Sequence, residues 1–148
     1  MFRFSLESLL RLRRSLEKVE EERLLQANQQ VRRQRDRIAH LDDWSRAQRD
    51  RRDAGLKAGE AAIELHFELA CHEQLGLLRK ELERQLTTLL ESCAQQQKKY
   101  ASARRNREVL EQLRSRQFER YRVEEVRREQ RRTDEQFLLR SRYLHRGG

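Results

Sequence analysis

The sequence predicts an all-α protein: two long helices in an antiparallel coiled-coil hairpin with an overhanging C-terminal helix. Three observations lead there. The 148 residues contain no proline, so nothing in the chain obliges a helix to stop. Charged residues make up 40% and apolar ones 36%, too few apolar groups for a wide core, yet 23 of the residues are leucine. Those leucines recur at alternating spacings of three and four, the signature of a coiled-coil seam. Valine, isoleucine and threonine total only ten, which argues against an all-β fold.

The elements follow in order as one domain over 1–148, with a helix over 3–53, a turn over 54–59 and a helix over 60–144. In the first helix Leu24, Ala27, Val31, Gln34, Ile38 and Leu41 keep heptad spacing. Upstream, Leu9, Leu12, Leu16 and Val19 repeat the alternation, and joining the two runs through Arg23 and Ala27 requires a stutter. The turn rests on Gly55 and Gly59: Gly55 suits a left-handed cap, and Gly59 opens the second helix with Glu60 at its positive end. The second seam runs Leu75, Leu78, Leu82, Leu86, Leu89, Cys93, Gln96, Tyr100, Ala103, Arg107 and Leu110. Cys93 reads there as a small buried hydrophobe, and Gly76 as a close-packing or bent point.

A hairpin centred near Leu56 sets residue i opposite residue 114 minus i, so Phe4 should face Leu110. Everything from Glu111 onward then lacks a partner, an overhang of about 30 residues or about 45 Å if helical. It carries Arg114, Arg116, Arg120, Arg122, Arg127, Arg128, Arg131 and Arg132 among glutamates, with Phe118, Tyr121, Val123 and Val126. Such a helix must dock on something or fray.

Charge and chemistry narrow the function. The formal net charge is +9, and arginine outnumbers lysine 29 to five. Forked guanidinium donors suit carboxylates as well as phosphates. No glycine-rich phosphate loop, nucleophile elbow or histidine pair flanking a glutamate is present, so no catalytic residue and no cofactor are expected. His66, Cys71 and His72 invite a metal reading, but residues 66 and 71 point to different helix faces and no fourth ligand follows. Cys71 and Cys93 are about 33 Å apart along one helix, beyond disulfide reach, which suits a reducing cytosol. The N-terminus has no apolar core of a signal peptide, and no segment reaches the roughly 20 apolar residues of a membrane span.

Both ends of the chain resemble one family. Phe2-Arg3-Phe4-Ser5-Leu6-Glu7-Ser8-Leu9-Leu10-Arg11-Leu12-Arg13 is similar to the opening of the flagellar FliJ family. Glu111-Gln112-Leu113-Arg114-Ser115-Arg116-Gln117-Phe118-Glu119-Arg120, continuing through Glu124-Glu125 and Glu129 to Asp134-Glu135, resembles that family's C-terminal helix. The resemblance implies a non-catalytic cytoplasmic component of type III protein export at the inner face of the cell membrane. It would insert as a stalk into the ring of the export ATPase (FliI), promote its hexamerisation, link it to the export gate protein (FlhA) and escort export chaperones. Carried onto this sequence, ATPase contact falls on Arg11, Arg13, Arg14, Arg114, Arg116, Phe118, Arg120, Tyr121 and Arg127. Gate contact falls on Phe67, Ala70 and Gln74, with Phe67 either an exposed anchor or a cap on the hairpin core beside Leu56 and Ile63. The stalk of a virulence secretion system is the nearest relative of this reading, and a basic coiled-coil nucleic-acid-binding protein is the alternative from another class.

Overall fold

The computed structural model describes residues 1–59 and 61–146. Two long α-helices, α1 (Glu7–Ala58) and α2 (Ala62–Arg146), account for nearly all of them, and no strand occurs among the described residues. Contacts within the chain divide it into two compact units, one of Met1–Glu17 with Ala103–Gly148 and one of Lys18–Ser102.

Both helices begin and end elsewhere than the glycine spacing suggests. α1 starts at Glu7, not at residue 3, because the preceding segment is drawn out to pack its aromatic rings. It then runs through Gly55, which is buried in its last turn, and ends at Ala58 with Lys57 also in that turn. The left-handed conformation belongs to Gly59 (φ 77°), whose amide donates to the Leu56 carbonyl at 3.4 Å. α2 opens at Ala62, with the Ala61 carbonyl accepting from Glu64 and Leu65. Glu60, the expected first residue of that helix, lies outside the described residues.

In the Lys18–Ser102 unit the stretches of α1 and α2 pair antiparallel. Along α1 the covered positions are Glu20, Leu24, Ala27, Val31, Gln34, Ile38, Leu41, Ser45, Gln48, Arg52 and Gly55, an unbroken alternation of four and three. Val31 and Gln34 are buried. The Gln34 amide donates to the Leu82 carbonyl at 3.0 Å and to the Gln85 side chain at 3.2 Å, so a buried polar group is satisfied and fixes the register. Asp42 binds Arg79 at 2.7 Å, and the Cys93 thiol donates to Asn28 at 3.2 Å. Cys93 is therefore a half-buried hydrogen-bonding group and not simply an apolar filler. Leu78 is exposed, and the cross-helix contact at this level is made by its neighbour Arg79, itself exposed, through Asp42.

In the other unit the same spacing continues through Leu10, Arg13 and Glu17. The expected stutter is absent. Leu9, Leu12, Leu16 and Val19 are all exposed, and charged residues hold the seam in their place. The register also differs from expectation: Phe2 meets Phe118, where a centre near Leu56 puts residue 112. The turn falls between Ala58, the end of α1, and Ala62, the start of α2, and moving a hairpin centre by a few positions displaces the facing residue by twice as many. Glu111 is accordingly not the first unpartnered residue, since it binds Arg14 at 3.1 Å, and contact with the N-terminal segment extends to Tyr121.

Gly76 is not a close-packing point, because a Cβ built there meets nothing within 4 Å. Gly76→Ala should therefore raise stability by about 0.4–1 kcal/mol through helix propensity and a less flexible unfolded chain. Urea denaturation followed by circular dichroism would reveal it; a lower midpoint would mean the site is tighter than its open surroundings indicate.

Candidate interaction surfaces

The Met1–Glu17 and Ala103–Gly148 unit is built around aromatic and charged side chains. Residues before Glu7 are not helical; the Glu7 amide donates to the Phe4 carbonyl at 3.2 Å, closing a turn that leads into α1. This conformation buries Phe4 and sets the Phe2 ring edge-on to Phe118 at 5.3 Å and tilted against Tyr121 at 5.7 Å, while Arg3 points to solvent. Leu10, 0% exposed, is the only large side chain fully buried among the described residues.

Behind it the seam is ionic. Arg107 pairs with Glu17 and with Glu111, Arg14 reaches Glu111, and Arg114 lies 3.4 Å from Glu7. Arg107 and Glu17 keep only 20% and 15% of their side-chain exposure. Partial burial pushes the Glu111 carboxyl up, but the Arg14 hydrogen bond and the Arg107 charge outweigh it and hold the group below its ordinary 4.5. In the other unit the Arg79 hydrogen bond holds Asp42 below 3.8.

Formal charges divide unevenly: this unit accounts for eight of the nine net positive charges. Of the arginines carried over as ATPase contacts, Arg14 and Arg114 are engaged within the unit and Arg13 sits half-buried on the seam. Arg11, Arg116, Arg120 and Arg127 are exposed and form no ion pair among the described residues. Phe118 and Tyr121 come together under Phe2, so they form one aromatic cluster and not two separate knobs. Further along α2, every residue from 126 to 140 is exposed, including Phe137, Leu138 and Leu139.

In the Lys18–Ser102 unit Phe67 is 70% exposed, and Ile63 and Leu56 beside it in sequence are exposed too, so Phe67 caps no core. Ala70 and Gln74 are also exposed. Phe67 lines a cleft of about 280 Å³ with Trp44, Arg49, Glu68 and Leu75, which Ala70 and Gln74 do not join. Cys71 and His72 reach that cleft, but among the described residues no group of three or more histidine, cysteine or carboxylate side chains is placed to hold a metal ion. Nor is any helix among them long and apolar enough to cross a membrane.

Against known families, the profile of the flagellar FliJ protein matches residues 2–147. The chain belongs to the FliJ family. No curated protein and no solved structure matches it. FliJ proteins are non-catalytic export components, so membership points to a part of the flagellar export machinery.

Two features of this FliJ family member escaped sequence reasoning. Trp44 flanks the seam without belonging to it, so heptad counting passes it by; that it is the sole tryptophan of the chain was the available signal. The second is the continuation of Val123 and Val126 into a charge-free stripe on α2 through Gln130, Thr133 and Phe137, whose spacings of three and four place it opposite the seam. Basic residues crowd both flanks of this stripe in the sequence and hide it from a linear reading.

Proposed function

We propose that the chain is a cytoplasmic, non-catalytic stalk of the flagellar export apparatus that works without a cofactor. In this reading its units form one coiled-coil domain, an antiparallel hairpin whose second helix continues beyond Tyr121 as an overhang. That overhang enters the export ATPase ring (FliI) and promotes hexamerisation. The Phe67 face meets the gate protein (FlhA), and exposed helical surface receives export chaperones. The observation that supports it best is the concentration of eight net positive charges in the unit that also exposes α2 over residues 126–140. A basic helix with one uncharged stripe suits a carboxylate-lined protein socket.

Arg116→Glu with Arg120→Glu is the test, because both side chains are exposed and neither forms an ion pair among the described residues. ATP hydrolysis by the purified export ATPase, at limiting amounts of the chain, should lose about tenfold of its stimulation with the helical circular-dichroism signal unchanged. Full stimulation by the double variant would remove this surface from the contact. The same concentration of charge favours the nucleic-acid reading. Duplex DNA retained at about 200 mM salt, with no ATPase stimulation, would put that reading first.

A further inference from the structure

The cleft between Trp44 and Phe67 carries an inference that rests on the reading of Phe67 as part of the gate contact. Its walls come from both helices of the Lys18–Ser102 unit, with Trp44, Arg49 and Arg52 from α1 and Phe67, Glu68 and Leu75 from α2. Trp44 and Phe67 leave 51% and 70% of their surface open, an arrangement that costs the free protein apolar exposure. Aromatic and arginine side chains grouped around a depression are the residues in which binding energy concentrates. The volume of about 280 Å³ is below that of most small-molecule pockets and suits one or two side chains of a protein partner.

Glu68 supplies the second, independent observation. Its Oε2 is buried and has no hydrogen-bond partner. A buried carboxylate oxygen without a donor destabilises the free fold, and a partner that supplies an N–H would complete it. Arg52 is drawn toward Asp53, 3.9 Å away, and Arg49 forms no ion pair among the described residues. The lining thus combines two guanidinium groups with a carboxylate oxygen that lacks a donor.

We propose that this cleft seats an apolar side chain of a gate-protein segment that bears an acidic residue beside it. The apolar side chain lies between Trp44 and Phe67, the acidic neighbour meets Arg49, and the Glu68 carboxylate turns to accept an N–H of the segment at Oε2. The recognition site is then centred on Trp44 and Glu68, with Ala70 and Gln74 outside it.

Because Trp44 is the only tryptophan, the chain labelled with 5-fluorotryptophan gives a single fluorine resonance that reports on the cleft alone. Titration with purified export gate protein should shift that resonance. Glu68→Leu should raise the melting temperature of the free chain and weaken gate binding by about tenfold or more, a combination that a merely structural glutamate would not produce. Glu68→Gln, which preserves shape, should weaken binding by about fivefold, and Arg49→Glu should weaken it most at low salt. Gate binding with an unmoved fluorine resonance, or undiminished in Glu68→Leu and Glu68→Gln, overturns the cleft while leaving the gate contact standing. Absence of any gate binding overturns the gate contact and the cleft together. A resonance that moves with the chain's own concentration alone assigns the cleft to a second copy and overturns the proposal.

Discussion

Leu10→Ala should destabilise the Met1–Glu17 and Ala103–Gly148 unit more than any other leucine truncation in the chain. Leu10 is completely enclosed, whereas Leu24, Leu41, Leu82 and Leu86 are only half-buried. Removing its branched end forfeits transfer energy and leaves a cavity, together about 2–5 kcal/mol. Leu86→Ala, on the longest leucine run, should cost less, because a partly solvated seam position can close over the loss. Hydrogen exchange resolved by segment would separate the two: Leu10→Ala should deprotect residues around Leu110 and leave those around Leu82 slow. Equal deprotection at both, or none, would mean that Leu10 is not the keystone its enclosure indicates. Phe4, the other buried apolar side chain of this unit, should loosen with it and carry Phe2 away from Phe118 and Tyr121. The stalk reading then predicts weaker ATPase stimulation at unchanged net charge.

The second large effect concerns Glu17 and Arg107. Arg107→Ala leaves Glu17 partly buried without its guanidinium partner and should cost about 1–3 kcal/mol. Replacing both at once, Glu17→Leu with Arg107→Leu, should instead match or exceed the parent by up to about 4 kcal/mol. Two leucines at facing seam positions recover apolar burial and remove the desolvation cost. Net charge is the same in the double variant, so any change in ATPase stimulation would report seam rigidity and not electrostatics. Chemical denaturation of the two variants is the check; a double variant weaker than Arg107→Ala would show that the ion pair itself stabilises the unit.

Acid sensitivity follows from the same cluster. A carboxyl whose folded pKa lies below its unfolded value binds its proton more readily when unfolded. Glu111 therefore lends stability that is present above about pH 4.5 and is lost as pH falls through the lowered folded value. With Arg107 gone, Glu111 retains only Arg14 as a cationic partner, so the double variant should lose less of its stability on acidification.

How far the sequence alone leads depends on what occupies each seam. From Leu82 to Leu110 the leucines of α2 sit where their spacing says, since an apolar residue at a covered position is both signal and structure. The start of α1 misleads for the opposite reason. Leu9, Leu12 and Leu16 imitate a seam on the exposed side, while Glu17 and Glu20, which linear reading assigns to solvent, hold covered positions through partners 90 and 76 residues away, beside a half-buried Arg13. Gly55 misleads at the turn because a glycine can also be chosen for its small size inside a helix; only Gly59 needs its backbone freedom. At the candidate surfaces, exposed arginines could be named from the sequence. Which of them are already engaged depends on cross-helix geometry, and so does the cleft that Trp44 and Phe67 share.

The amide of Gln34 has one further consequence. Sliding α1 past α2 by a heptad in the Lys18–Ser102 unit would strand that amide from the Leu82 carbonyl and part Asp42 from Arg79. The stranded amide alone costs about 1–3 kcal/mol. A pull along either strand is therefore shared by both, and this stretch behaves as a ratchet with one tooth engaged, able to pass on a push without creeping.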